Sequence, residues 1–144
     1  MKHFVTFSFL IFAFSQNLYA HGTHDEESRY KGPVAKKAYI ISPQDGATVP
    51  STFKVIFGLK GMEVSPAGVE KANSGHHHLL IDSKKLPDMS KPLGDSVMHF
   101  GKGQTDTTLT LSPGKHTLQL ILGDHLHVPH SPAVVSKKIT VTVE

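Results

Sequence analysis

The side chains best suited to chemistry in this chain are its histidines. The sequence has 144 residues, of which 11 are histidine and none is cysteine. Six of the histidines lie in two short segments, residues 75–82 and 123–130. Imidazole is the commonest protein ligand for transition metals, and it is also the side chain whose charge normally changes between about pH 5 and 8. Metal binding is therefore the first hypothesis for the function.

Three consecutive histidines, His76, His77 and His78, begin an apolar run that is typical of a β-strand. Because side chains alternate along a strand, His76 and His78 should lie on one face and His77 on the other. A His-x-His pair on a strand can present two imidazoles to one ion. We predict His76 and His78 as ligands and rank His77 below them. The alternative is that one histidine is buried and bonded to the backbone while the others are solvated.

A loop before the last strand contains two more predicted ligands, His127 and His130. Loops at the end of a β-sandwich commonly carry functional sites. His125 projects like His127 if this segment is extended, and Asp124 can ligate a metal directly or orient an imidazole. Asp124 and His125 are therefore lower-ranked candidates. The alternative is an ordinary polar loop with no metal.

The fifth predicted ligand is His99, which follows Met98. A thioether beside an imidazole would suit copper, but neighbours on a strand point to opposite faces. We therefore expect Met98 to fill the core. His116 is expected to be structural, because it begins a strand after a Pro-Gly turn, where an imidazole can bond to a backbone carbonyl.

The first 20 residues have the pattern of a secretory signal peptide. Lys2 supplies a basic start, residues 4–14 are apolar, and Ala20 offers a small residue at the cleavage point. The apolar run is shorter than the roughly 20 residues that span a bilayer. We expect a periplasmic or secreted protein with no membrane span after cleavage.

Residues 21–37 are polar and charged and are predicted to form a flexible tail, followed by a single domain at residues 38–144. Cleavage after Ala20 would make His21 the amino-terminal residue. An amino-terminal histidine can chelate copper through its amine and its imidazole, as in the histidine brace of copper carriers and oxidative polysaccharide-cleaving enzymes. His21 is a lower-ranked ligand because the tail separates it from the first strand.

The composition and the absence of several motifs limit the functional classes to which the protein can belong. Loss of Lys2 with the signal lowers the net charge from +3 to +2, with the charges evenly spread, so no nucleic-acid partner is expected. Without cysteine, zinc ribbons and iron–sulfur sites are excluded. The sequence contains no Gly-x-Ser-x-Gly, no His-Glu-x-x-His and no phosphate loop, so an enzyme is less favoured than a binding module.

Beyond the tail, short apolar and β-branched runs are separated by turn formers. Seven strands are predicted, at residues 38–42, 52–59, 77–81, 97–100, 105–111, 116–122 and 134–143. In the sixth of these, Leu118, Leu120 and Leu122 share the face that should pack the core. The pattern indicates an all-β fold, an immunoglobulin-like antiparallel β-sandwich of about seven strands.

The most distinctive sequence motifs of the chain lie at residues 41–49, 57–62, 75–82, 99–105, 111–120 and 127–130. Together they resemble a bacterial secreted domain, the domain-of-unknown-function family 4399, over about residues 40–143. The resemblance implies no activity. Its motifs include all five predicted ligands together with His77 and His116, and they leave out His125. In outline the domain is also similar to small periplasmic copper-binding sandwiches of the copper-resistance type.

We therefore expect a secreted or periplasmic module that binds copper or zinc through His76, His78, His99, His127 and His130. One alternative is a non-catalytic interaction or structural domain whose histidines form a hydrogen-bond network. Another is a copper oxidative enzyme with an amino-terminal histidine brace. The expected partner is a metal ion or an unidentified protein, and the expected state is a monomer or weak dimer.

Overall fold

The computed structural model of the protein describes residues 34–144. The predicted signal peptide, His21 and most of the predicted polar tail lie outside the described residues. Within residues 34–144 the regular structure consists of nine β-strands and no helix, which confirms the predicted all-β class. In this part of the chain no helix is long and apolar enough to cross a membrane.

The smaller sheet has three antiparallel strands in the order β1-β3-β7. These strands are β1 (Lys37–Ser42), β3 (Thr52–Lys60) and β7 (Asp106–Thr110). Their alternating burial follows from the period of two along a strand, with one face on the core and the other in solvent.

The larger sheet has six strands in the order β2-β9-β8-β5-β4, with β6 also paired to β5. The strands are β2 (Thr48–Val49), β4 (Glu63–Val64), β5 (Ser74–Ile81), β6 (Met98–His99), β8 (Gly114–Gly123) and β9 (Ile139–Val143). The β2–β9 and β4–β5 pairs are parallel and the others are antiparallel. Thus β4 and β6 share the edge of β5 that faces away from β8.

One hydrophobic cluster contains side chains from both sheets, so the molecule is sandwich-like with its core between them. From the larger sheet, Leu118, Leu120 and Leu122 are fully buried in this core, as the alternation predicted. From the smaller sheet, Val55 and Phe57 pack against them.

The larger sheet is also covered on its outer face. Leu80 and Ile121 of β5 and β8 pack there against Leu93 and Val97, which belong to the segment at residues 82–97. Because side chains alternate, His76 and His78 lie on the same face of β5 as Leu80. This covered outer face is where the histidines meet.

Nine strands take the place of the seven or so predicted. The additional ones, β2 and β4, have two residues each, too few for an apolar period to reveal them. The predicted tail also ends earlier than expected, because Lys37 is already in β1. The carbonyl oxygens of Val34 and Ala35 lie close to Gly61, where a Cβ would be within 2.9 Å of both.

Candidate metal centre

Four imidazoles converge at one end of the outer face. The ring centroids of His76, His78, His99 and His127 are 4.6–5.9 Å apart in every pairing. One ring nitrogen from each of His76, His99 and His127 lies within 4.8 Å of the other two. Zinc–imidazole bonds are about 2.0–2.1 Å long, so small rotations of these rings would let them share one ion.

Strand β5 supplies His76 and His78. Their exposed fractions are 0% and 1%, and the two rings lie 4.6 Å apart on the outer face. His77 points to the opposite face, where its ring is 5.2 Å from that of Phe57 in the core. The structure therefore shows the alternation expected from the sequence.

Strand β6 supplies His99. It pairs with β5 so that His99 lies opposite His78, and the two rings are stacked with 5.2 Å between centroids. Gly101 leaves space for His99, since a Cβ on Gly101 would overlap the Cε1 and Nε2 atoms of the ring. The His99 side chain reaches solvent. Met98 is 39% exposed, so the expectation that it fills the core was wrong.

The loop between β8 and β9 supplies His127, and Asp124 shapes this loop. Asp124 Oδ1 accepts hydrogen bonds from the backbone N–H groups of Leu126 at 2.8 Å and Val128 at 2.9 Å. His127 has a φ of 68°, in the left-handed region that non-glycine residues rarely adopt and that often occurs at functional sites. The N–H of Leu93 donates to the His127 carbonyl at 2.9 Å. These bonds fix the turn that directs His127 to the cluster.

Among residues 34–144, the atoms close enough to share an ion include no nitrogen from the predicted ligands His78 and His130, none from His125 and no oxygen from Asp124. The Asp124 carboxylate orders the loop instead. The loop is turned rather than extended, which removes the reason to expect that His125 would project like His127. His130 lies beside β5, where a Cβ on Gly75 would be 2.9 Å from its Nε2.

The buried imidazoles lack hydrogen-bond partners. Both ring nitrogens of His76 and both of His78 are buried and find no partner within the described part of the chain. The Nε2 atoms of His99 and His127 are 3.1 Å apart, so one ring donates to the other. An unpaired buried polar group costs about 1–3 kcal/mol, and native structures nearly always avoid it. A metal ion would bond one nitrogen of His76, whereas the nitrogens of His78 lie outside the group close enough to share that ion.

Burial keeps these imidazoles neutral. Desolvation, followed by the nearby His127 and His99, lowers the pKa of His76 from 6.5 to about 4. Burial, followed by His76, lowers the pKa of His78 to about 3. The pKa of His99 is also lowered, by burial and then by His127. Metals bind the neutral imidazole, so these rings need not lose a proton first at neutral pH.

His116 has the structural role predicted for it. Its Nδ1 lies 2.8 Å from Asp82 Oδ2, and its Nε2 lies 2.9 Å from the carbonyl oxygen of Ser112. Both partners are acceptors, so a ring that makes both bonds carries protons on both nitrogens. The bonds to Asp82 and Ser112 raise the pKa of His116, in agreement with this charge.

An open pocket of about 210 Å³ adjoins the cluster on the side of His99 and His127. The other lining residues come from the segment at residues 82–97: Pro92, Leu93, Gly94, Asp95 and Val97. Thus His76 and His78 close the cluster on the side of the sheet. His99 and His127 face the pocket, where solutes can reach them.

Sequence reasoning overlooked the glycines that make space for the rings. A Cβ on Gly123 would lie 2.8 Å from Cε1 of His78, and Gly101 has the same relation to His99. The available signal was a glycine two residues after His99 and another directly before the histidine-bearing loop. Glycine at either position also fits an ordinary turn. The sequence pattern therefore did not distinguish a glycine that makes space for a histidine ring from one that only forms a turn.

Comparisons with known proteins identify the family but no activity. No curated protein sequence matches the chain. Among solved structures, the endo-beta-1,4-mannanase from Thermotoga petrophila is similar at 17% identity and a TM-score of 0.46, over 76% of this chain and 20% of that chain. A likeness this weak carries no argument. The family described as Domain of unknown function (DUF4399) matches residues 55–144. The resemblance seen in the sequence is thereby confirmed, and the chain belongs to the DUF4399 family.

Proposed function

We propose that this domain binds a transition-metal ion, copper or zinc, through His76, His99 and His127, with the ring of His78 beside them but outside the group of nitrogens close enough to share one ion. The observation that carries the proposal is the convergence of the four rings around buried nitrogens that have no hydrogen-bond partner among residues 34–144. An ion held by His76, His99 and His127 would remove part of this energetic cost, because one nitrogen of the buried His76 ring would bond to it.

The donor atoms indicate the class of metal. All four side chains offer imidazole nitrogen, which suits zinc and copper. Magnesium and calcium select oxygen ligands, so this cluster does not suit them. The low pKa values of His76 and His78 favour binding at neutral pH, since protons do not compete there.

The competing hypothesis is an interaction or structural domain whose histidines form a hydrogen-bond network. The bond between His99 and His127 supports it for that pair. A complete network would also bond His76 and His78, whose four ring nitrogens are unpaired within residues 34–144. The metal-binding proposal accounts for more of the cluster.

The test is the metal content and affinity of the untagged protein exported with its own signal. We expect stoichiometric copper or zinc. We also expect thermal stabilisation that grows as RT ln(1 + [L]/Kd), about 2.7 kcal/mol at a free metal concentration of 100 Kd. His99→Ala and His127→Ala should each weaken binding at least about 100-fold. Both side chains are at least partly solvent-exposed, so the fold should tolerate their loss.

His125→Ala is the matched control, because His125 lies in the same loop as His127 but outside the cluster. Its metal affinity should equal that of the wild type. A metal-free protein whose melting temperature does not change on addition of Cu(II) or Zn(II) would rule out the site and favour the network.

We also propose export to the periplasm or the medium, supported by the signal-like residues 1–20. Mass spectrometry of the exported protein would give the mature amino terminus. Cleavage elsewhere than after Ala20 would exclude the histidine-brace alternative, since that alternative requires His21 as the first residue.

We propose, finally, an immunoglobulin-like strand order. It is supported by the arrangement of β1-β3-β7 in one sheet and β2-β9-β8-β5 in the other. Sandwiches of this type place the first, second, fourth and fifth main strands in one sheet and the third, sixth and seventh in the other. Six of the seven main strands match this order, whereas the fourth, β6, pairs with β5 in the larger sheet. An experimental structure would test the order.

A further inference from the structure

We propose that the metal centre has a coordination position that no side chain of the protein fills, and that this position faces the pocket beside His99 and His127. Its ligand would be a small monodentate donor, such as water or an anion the size of azide. This inference rests on the proposed metal-binding function and specifies how that site meets solutes.

The cluster of imidazoles is asymmetric, with two buried rings and two that reach solvent. His76 and His78 are fully buried on the sheet side, so nothing from solvent can approach the ion from behind. His99 is exposed and His127 is partly exposed, and both line the pocket of about 210 Å³. The approach to the ion is therefore open on one side only.

The number of close ligands also leaves a coordination position free. The three nitrogens that lie closest together belong to His76, His99 and His127. The ring of His78 is 5.9 Å from that of His127, the longest separation in the cluster. Closed structural zinc sites use four protein ligands, whereas sites with three histidines keep a position for water or substrate. A cluster of three close imidazoles with a pocket in front matches the second type.

The pocket in front of the cluster has few side chains that could ligate a metal. Apart from His99 and His127, its lining is Pro92, Leu93, Gly94, Asp95 and Val97. Of these five side chains, only that of Asp95 can ligate a metal. Asp95 is absent from the group of atoms that can share an ion within residues 34–144. The pocket thus offers the ion no competing donor, and a small solute can occupy that position.

The experiment is an azide titration of the full-length protein loaded with Cu(II), or with Co(II) where zinc binds more tightly. We expect a saturable ligand-to-metal charge-transfer band and a change in the electron paramagnetic resonance spectrum. Gly94→Phe should weaken azide binding at least tenfold while metal affinity stays within about twofold of wild type. A Cβ on Gly94 meets no atom within 4 Å, so a side chain can start at this position without displacing a neighbour.

Gly94→Ala is the matched control and should bind azide like the wild type. Metal binding of normal affinity with no spectral response to azide would overturn this proposal and leave the metal site intact. An equal azide response in Gly94→Phe and wild type would overturn the assignment of the open position to this pocket. Failure of the protein to bind metal at all would instead contradict the proposed function.

Discussion

Individual histidines in this protein differ sharply in what surrounds their nitrogens. Those of His76, His77 and His78 are buried and find no hydrogen-bond partner among residues 34–144. Those of His116 are both bonded. Three adjacent rings with unpaired nitrogens are costly in a metal-free domain. The proposed metal site would give one nitrogen of His76 a partner, but no ligand function is available to His77 on the inner face.

His77→Leu should therefore stabilise the metal-free protein. Leucine has a similar volume and no polar atom, so the substitution removes two unpaired nitrogens from a site packed against Phe57. We expect a gain of about 1 kcal/mol in the free energy of unfolding at pH 7.5, measured by urea denaturation. Metal affinity should not change. A loss of stability would mean that the imidazole nitrogens make bonds in the core.

The His116–Asp82 pair predicts that the stability of the fold decreases at alkaline pH. Hydrogen bonds to Asp82 and Ser112 raise the pKa of His116 above 6.5. The stabilisation from its protonated form is therefore fully present below about pH 6.5 and is lost as the pH rises through the raised pKa. His116→Gln should abolish this alkaline decrease, as seen in urea midpoints from pH 6 to 9. Equal pH profiles for variant and wild type would contradict the charged pair.

The same pair also predicts how stability depends on pH at the acid side, through the carboxyl group of Asp82. Burial raises the pKa of Asp82, but its bonds from His116 and the Thr117 N–H outweigh this and hold the pKa below 3.8. Its stabilising contribution is present above that ordinary value and is lost only as the pH falls through the lowered one.

At the scale of the strands and loops, the local parts of the site were predictable and the non-local parts were not. The alternation along β5 correctly placed His76 and His78 together, because it depends only on the period of a strand. Three features depend on contacts between distant segments: the pairing of β6 with β5, the turn that directs His127, and the covering of the outer face by residues 82–97. A single sequence carries no direct signal for such contacts.

The loop that carries His127 should depend on one carboxylate oxygen. Asp124→Ala removes the acceptor for the N–H groups of Leu126 and Val128, so His127 should lose its fixed position. We expect metal affinity to fall about tenfold, in the range of second-sphere effects on metal sites. Asp124→Asn keeps an oxygen acceptor and is the matched control. An equal loss in both variants would indicate that the charge, and not the loop order, matters.

The glycines beside the rings should behave in a similar way. Gly101→Ala places a Cβ on the ring atoms of His99, which must then rotate away. His99 is exposed, so the ring can move at little cost to folding. We expect at least tenfold weaker metal binding, measured by competition with a chelator, and a melting temperature within about 2 °C of wild type. Unchanged affinity would show that His99 is not a ligand.

In the molecule as a whole, the inner core and the candidate metal centre are separate. The core lies between the sheets, while the imidazoles lie on the outer face of the larger sheet beneath a loop and a covering segment. Loss of an exposed ligand should therefore change binding without unfolding the domain. The family match at residues 55–144 contains all four imidazoles and begins after β1 and β2.

The buried histidines also set the acid stability of the metal-free domain. Burial lowers the pKa of His77 to about 4, and His76 and His78 are lowered to about 4 and about 3. Between pH 4 and 6.5 these three histidines bind protons in the unfolded chain but stay neutral in the folded protein. The free energy of unfolding therefore decreases as the pH falls through this window. Each such histidine contributes a slope of about 1.4 kcal/mol per pH unit.

His77→Leu should therefore reduce the slope of the unfolding free energy against pH by about 1.4 kcal/mol per pH unit, the equivalent of one proton, between pH 4.5 and 6. Urea denaturation at a series of pH values measures this slope. An unchanged slope would mean that His77 takes up its proton in the folded state, and that the core at this position is more hydrated than its packing against Phe57 suggests.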